Sequence, residues 1–333
     1  MTSHLAVITG GAGFIGSHMV DLLVDLGWRV HVIDNFSGGS TQNLQHHADK
    51  ADIRIFRDDI RSFESLELSS REIFGGARYV FHFAGIGDII PSIQRPLDYM
   101  DVNIGGTTRI LECARHAGVE KFIYAASSSC YGLASVPTDE DNPIECLYPY
   151  ALSKFLGEAV VLHWHRVYGL PVNSLRIFNA YGPRVRTTGA YGAVFGVFLR
   201  QKIAGKPYTV VGDGTQIRDF VYVTDVVKAF LAAADKGQPG EIYNLGAGQP
   251  QTVNRLVEIL GGEVTYIPER PGEPNCTWAD ITKIQRELGW APEVSFEAGV
   301  AQMLENIAYW EDAPLWDSES ISKATAAWFQ YLK

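Results

Sequence analysis

Short runs of β-branched and other apolar residues recur through the first part of the chain, at Leu5–Thr9, Arg29–Ile33, Ile53–Phe56, 79–83 and 121–125, with segments of helical length between them. Runs apolar at successive positions predict strands buried on both faces, and their alternation with helical segments predicts βα units feeding a parallel sheet. In the intervening segments, 15–26 and 98–116 carry apolar residues at helical intervals, the second through Val102, Ile104, Ile110 and Leu111. A longer helical pattern at 150–168 closes on Gly169-Leu170-Pro171, and 172–178 returns to strand character. The pattern predicts an α/β fold with a doubly wound parallel sheet and helices on both faces. It shows no repeat and no low-complexity tract.

From about residue 182 the texture changes. The stretch 182–192 is rich in glycine, arginine and threonine, and short strands, turns such as Gly212-Asp213-Gly214 and helices near 225–234 and Val253–Leu260 follow. These features predict a first domain at 1–181 that also takes strand from 215–245, and a smaller, interleaved C-terminal α/β lobe at 182–310. The tail 311–333, with Trp316, Ile321, Trp328 and Tyr331, reads as an amphipathic helix packed on the body.

Hydrophobic residues make up 46% of the 333 and charged residues 20%, enough apolar content for a large core. A net charge of −10 argues against a nucleic-acid or membrane partner, so any nucleotide must be gripped locally. Cys113, Cys130, Cys146 and Cys276 lie far apart without C-x-x-C spacing, signalling neither a metal site nor a disulfide framework. With no leader-like segment and no membrane-length apolar run, a soluble, unprocessed cytoplasmic protein is expected.

Gly10-Gly11-Ala12-Gly13-Phe14-Ile15-Gly16 follows the first strand and opens the first helix. Glycines at this turn allow a pyrophosphate to approach the backbone at a helix N-terminus, where free N–H groups favour anions. Asp34 ends the second strand, where a carboxylate can accept from both ribose hydroxyls of an adenosine and repels a 2′-phosphate, favouring NAD over NADP. Asp59-Ile60 after the third strand could bracket the adenine or simply cap a helix.

Tyr150 and Lys154 are four apart on one helix, which puts their Cβ atoms about 5–6 Å from one another. The ammonium, with the positive charge of oxidised nicotinamide, would lower the phenol toward neutrality and make Tyr150 a general base for a sugar hydroxyl. An aromatic packing position beside a solvated lysine is the alternative. Ser127-Ser128-Ser129-Cys130-Tyr131-Gly132 falls at the carboxyl end of a strand, where open α/β sheets bind ligands. Chemistry alone does not say which serine shares the substrate's proton, and a serine-rich turn is the plain reading.

Together with His82-Phe83-Ala84-Gly85, Tyr150-Ala151-Leu152-Ser153-Lys154, Arg176-Ile177-Phe178-Asn179 and Arg218-Asp219-Phe220-Val221, these segments make the chain resemble an extended short-chain dehydrogenase/reductase of the NAD-dependent sugar-nucleotide epimerase/dehydratase family, from residue 5 to about 310. The resemblance implies a Rossmann-like fold, NAD as cofactor and Ser127, Tyr150 and Lys154 as catalytic residues. It implies that Gly10, Gly13, Phe14, Ile15, Gly16, Asp34, Asn35, Gly38, Asp59, Ile60, Phe83, Ala84, Gly85, Asn103 and Phe178 contact the cofactor. Asn179, Arg218 and Arg270 would hold the nucleotide diphosphate and ribose of the substrate. Guanidinium forks suit that task in an acidic protein, although Arg218 could instead pair with Asp219 at the surface. Arg184 and Arg186 fall in a substrate-covering loop, where solvated side chains are the plainer reading.

Dehydratases of this family resemble one another in an Asp-Glu pair after the catalytic hydroxyl, and decarboxylases in a glutamate at the second of those positions; here Ser128 and Ser129 stand there. The resemblance therefore implies a 4-epimerase acting on a UDP-sugar, in a homodimer paired through the helices 98–116 and 150–168; a 4,6- or 5,6-dehydratase or a uronate epimerase of the same family is the alternative, and a catalytically silent NAD-binding module a distant one. Gly87 departs from the pattern, standing where galactose-type epimerases place a lysine. Thr277 falls where related enzymes gate the C2 substituent of the sugar, and a small residue there implies that N-acetylated sugars are accepted.

Overall fold

The structure is a computed structural model that describes residues 4–64, 67–185 and 194–332. Its centre is a seven-stranded sheet of β1 (Leu5–Thr9), β2 (Arg29–Ile33), β3 (Ile53–Phe56), β4 (Ala77–His82), β5 (Lys121–Ser127), β6 (Val172–Ile177) and β7 (Ile242–Leu245). All its pairings are parallel, in the order β7-β6-β5-β4-β1-β2-β3. β1, β5 and β6 are buried at every residue, as strands covered by helices on both faces are, although β6 carries Asn173, Ser174 and Arg176 within its length. One face buries Met19, Val20 and Leu23 of helix Phe14–Asp25 with Val226, Val227 and Phe230 of helix Val223–Lys236. The other buries Ile110, Leu111 and Val161 from helices Thr107–Ala117 and Pro149–Tyr168.

The strand order reverses between β1 and β4, whose carboxyl ends meet with Thr9 opposite His82. Such a reversal opens a crevice for a ligand. Beneath it His82 is fully buried, with Nδ1 2.6 Å from Thr9 Oγ1 and Nε2 2.9 Å from Thr107 Oγ1. Burial pulls its pKa down to about 3, so it is a neutral tie between strand and helix.

The segment 98–116 departs from the single α-helix expected of it: Pro96–Met100 and Thr107–Ala117 are joined by a π-helical turn, Asp101–Gly106. The widened turn carries Asn103, whose amide is fixed by three hydrogen bonds, and Gly106, where a Cβ would lie 2.5 Å from Ile60. π turns of this kind concentrate at functional sites, and hydrophobic spacing does not signal them.

A second core gathers Tyr181, Phe195, Phe220, Tyr222 and Phe296, with Tyr181 stacked 4.6 Å from Phe195. Three two-stranded ribbons frame it, pairing Asn179–Tyr181 with Phe220–Tyr222, Ile217–Arg218 with Gln251–Thr252 and Tyr208–Val211 with Val264–Ile267. Ile321 and Trp328 of the tail helix Ser318–Tyr331 are buried. No helix among the described residues is long and apolar enough to cross a membrane.

Candidate active site

The glycine loop occupies the mouth of the crevice. A Cβ at Gly16 would stand 2.2 Å from Gly10 O, and Gly10, at φ +70°, lies so close to the β4 end that its Cβ would be 2.7 Å from Ala84 N. Gly13 is the N-cap of helix Phe14–Asp25, and no side chain caps that end. Backbone is thus brought to a helix N-terminus without a side chain in the way, a cradle suited to a pyrophosphate. Asp34 is buried below it, accepting from Ala12 N at 2.9 Å and Phe36 N at 2.7 Å, one donor on each oxygen. Burial raises its carboxyl pKa while those N–H groups lower it, and each oxygen keeps a lone pair for a ribose hydroxyl. These residues fit an adenine dinucleotide.

The flanking positions are less uniform. Asn35 donates to Asp59 at 2.8 Å, but Asp59 is also held by the Arg61 side chain and backbone N–H, with its carboxyl pulled far down by that hydrogen bonding, so it serves partly as a turn cap. Gly38 is exposed with nothing near a Cβ; the glycine the packing needs is its neighbour Gly39, where a Cβ would be 2.7 Å from the Ala12 backbone. Phe83 turns its ring onto Phe230 at 4.7 Å, so the wall it offers is backbone. Phe14 and Ile15 pack toward the second core, and Phe178 sits 6.4 Å from Tyr131. Gly85 faces Asn103, whose amide bonds Ile86 and Ser153 and so ties this loop to the helix of Tyr150.

Pro149 starts that helix and fixes its first turn, so Tyr150 and Lys154 share a face. Lys154 lies 4.4 Å over the Tyr124 ring, where burial pulls its ammonium down to about 7 against the opposing pull of Glu158. Ser127 ends β5 in hydrogen-bond contact with Tyr150 and donates to Ser129 Oγ at 3.0 Å. The Tyr150 phenol itself is pushed upward, by burial first, with the Ser127 bond opposing and Asp88 adding to the rise. The lowering expected of Lys154 is not found in the protein alone, because burial dominates and the carboxylate of Asp88 adds negative charge. Any lowering would have to come from the positive charge that oxidised nicotinamide would bring when bound.

On the substrate side, Thr277 donates to Asn179 Oδ1 at 2.8 Å. Arg218 and Arg270 converge on Glu273, at 2.8 and 3.4 Å. The alternative pairing of Arg218 with Asp219 is overturned: Asp219 is fully buried and accepts from the backbone of Ala247, Gly248 and Ala279. Arg184 is not solvated either, bonding Asp21 at 2.7 Å, and Arg186 lies outside the described residues.

Sequence reasoning missed several neighbours. Glu158, one turn beyond Lys154, forms a buried pair with Arg176 at 2.6 Å and accepts from Ser174. Arg176 continues to Tyr131, and Tyr131 to Asn244. The i, i+4, i+8 ladder of Tyr150, Lys154 and Glu158 was the signal available. Asp88 and Glu273 carried none, since only the fold brings them near Tyr150 and the two arginines.

A family model described as the NAD dependent epimerase/dehydratase family matches residues 6–246. The chain belongs to that family. A second model, GDP-mannose 4,6 dehydratase, matches residues 262–303. The chain is 33% identical over 308 residues to a UDP-glucose 4-epimerase of Mycolicibacterium smegmatis, covering 90% of this chain and 97% of that one. It superposes with a TM-score of 0.84 at 35% identity on the Thermotoga maritima UDP-glucose 4-epimerase with UDP-glucose, over 91% of this chain and 98% of that one. The Methanobrevibacter ruminantium UDP-N-acetylglucosamine 4-epimerase matches at 0.84 and 31%, over 92% and 100%. Other relatives are named for UDP-glucuronate epimerisation or UDP-sugar decarboxylation. As a family member the protein is an epimerase-type enzyme with a Rossmann-like fold, and its cofactor is NAD.

Proposed function

We propose that the protein interconverts C4 epimers of a UDP-sugar, UDP-glucose and UDP-galactose first. The observation that carries this is Tyr150 in hydrogen-bond contact with Ser127 and on one helix face with Lys154, with serine hydroxyls rather than carboxylates following Ser127. NAD, when bound, supplies a hydride acceptor and donor for C4 of the sugar and is regenerated in each cycle. Tyr150 takes the O4 proton and later returns it, with Ser127 sharing the hydrogen bond. Lys154 stands beside the site, where burial weakens its ammonium and the Glu158 carboxylate one turn on opposes that weakening. Asn179, Arg218 and Arg270 orient the diphosphate, with Glu273 holding both guanidiniums in place. The same reading carries a homodimer, paired through the adjacent helices that leave Leu97, Leu152 and Tyr168 exposed.

Incubating the purified protein with UDP-glucose tests the proposal, by proton NMR and mass spectrometry of the product. The expected result is an isobaric C4 epimer. Asp88 gives a second reading its one support, because a carboxylate whose charge reaches Tyr150 could serve an elimination. A product lighter by one water would establish that reading and end the first.

Thr277 extends the proposal to N-acetylated sugars, since its small side chain is partly buried and tied to Asn179. Thr277→Tyr is expected to cut kcat/KM for UDP-GlcNAc by about 100-fold or more, the scale of discrimination a filled pocket can give, with UDP-glucose turnover within about threefold. Equal loss on both sugars would remove Thr277 as the gate.

A further inference from the structure

Both family matches end by residue 303, and the chain continues into a helix they do not describe, Ser318–Tyr331. Its start is firmly set: Asp317 and Ser320 form a reciprocal capping box. Its far end runs into the candidate active site. Trp328 is 3% exposed, and its indole N–H donates to Pro271 O at 2.7 Å. The Arg270 guanidinium lies 5.7 Å over the same indole, and the Tyr148 ring is 6.1 Å away. Tyr148 is the N-cap residue of the catalytic helix; its ring stacks on Tyr150 at 6.4 Å and 8°, and its hydroxyl is in hydrogen-bond contact with Ser129. The helix also packs against helix Ile89–Gln94, which follows the Gly87-Asp88 wall beside Tyr150.

One aromatic side chain from the tail therefore touches both halves of the site: the arginine loop 270–273 and the start of the catalytic helix. We propose that Trp328 is a positioning residue for Arg270, and that the C-terminal helix is a clamp fixing the arginine loop against the catalytic helix so that the guanidinium meets the substrate diphosphate. The physical case is one of preorganisation. Arg270 stands on a segment with a glycine at φ +72°, Gly272, and its 3.4 Å pair with Glu273, a carboxylate it shares with Arg218, holds the charge without fixing the plane of the guanidinium. The indole supplies that plane while its N–H fixes the loop backbone at Pro271. Trp328 contacts no group that the reaction changes, so it acts on binding, through another residue.

This inference rests on the nucleotide-sugar reading of the site, and the experiment separates the two. UDP is titrated calorimetrically into the full-length wild type, Trp328→Ala and Trp328→Phe, and KM and kcat for UDP-glucose are measured on each. The expected result for Trp328→Ala is an UDP affinity and a 1/KM each weaker by about tenfold, the worth of one ordered cation contact, with kcat within about threefold and bound NAD unchanged. Trp328→Phe retains an aromatic plane for Arg270 and Tyr148 while losing the bond to Pro271, so it should fall between the two, and it carries the test if the alanine variant does not fold. The clamp is overturned if the wild type binds UDP and both variants match it within twofold, or if kcat and NAD content fall as KM rises. A wild type that neither binds UDP nor converts UDP-glucose defeats the nucleotide-sugar reading, and the clamp with it.

Discussion

Tyr150→Phe is expected to lower kcat for UDP-glucose by about 10³–10⁴-fold, the usual worth of a positioned acid–base group, while bound NAD stays at the wild-type level. The substitution removes one hydroxyl and leaves the ring stacked against Tyr148 and edge-on to Tyr99. Packing is thereby preserved, so a loss of rate with retained cofactor reports chemistry rather than folding. The pH profile should show the same group. Burial raises the phenol and favours its protonated form, so the wild-type rate climbs with pH as the phenolate is released, and that limb should vanish in the variant. Activity within tenfold of wild type would rule out Tyr150 as the base and with it the epimerase mechanism.

The second large effect concerns stability. Glu158→Ala should lower the unfolding free energy by about 3–5 kcal/mol, because it leaves the Arg176 guanidinium buried without its carboxylate. Arg176 is 3% exposed and bonds Glu158 through both Nε and Nη2, while Ser174 loses its acceptor at 2.7 Å. Its remaining bonds, to Tyr131 and to Glu140 O, are to groups without formal charge. The measurement is the urea midpoint at unchanged m-value. Replacing both partners, Glu158→Leu with Arg176→Met, should recover most of the loss, since an apolar pair of similar volume carries no desolvation cost. A single-variant change under about 1 kcal/mol would show that water reaches the pair and that burial is not what makes it matter.

What could be read from the chain was whatever depends on local spacing. Leu5–Thr9 and Arg29–Ile33 are strands because short runs rich in apolar and β-branched residues are stable when covered on both faces, and both lie where that rule places them. The glycine loop was legible for the same reason: a turn from strand to helix that excludes side chains leaves a mark at fixed intervals. Tyr150 and Lys154 were visible as a pair through helical periodicity alone. The π turn at Asp101–Gly106 was not, because its widening answers contacts made by Asn103 to Ile86 and Ser153, residues far away in sequence.

Long-range placement was likewise beyond the sequence. The partner of Arg218 proved to be Glu273 rather than its neighbour Asp219, because burial turned that carboxylate onto three backbone N–H groups. Gly39 rather than Gly38 meets the glycine loop, a choice made by which of two adjacent positions faces Ala12. Amino-acid order alone determined that the protein has a parallel α/β sheet, a dinucleotide loop and a tyrosine–lysine helix, since each follows from steric and hydrogen-bonding rules acting over a few residues. Only the tertiary structure decided which charges are paired, which hydroxyls meet Tyr150 and that Trp328 closes on Arg270, because those contacts join segments as much as 180 residues apart, and local propensity carries no information about them.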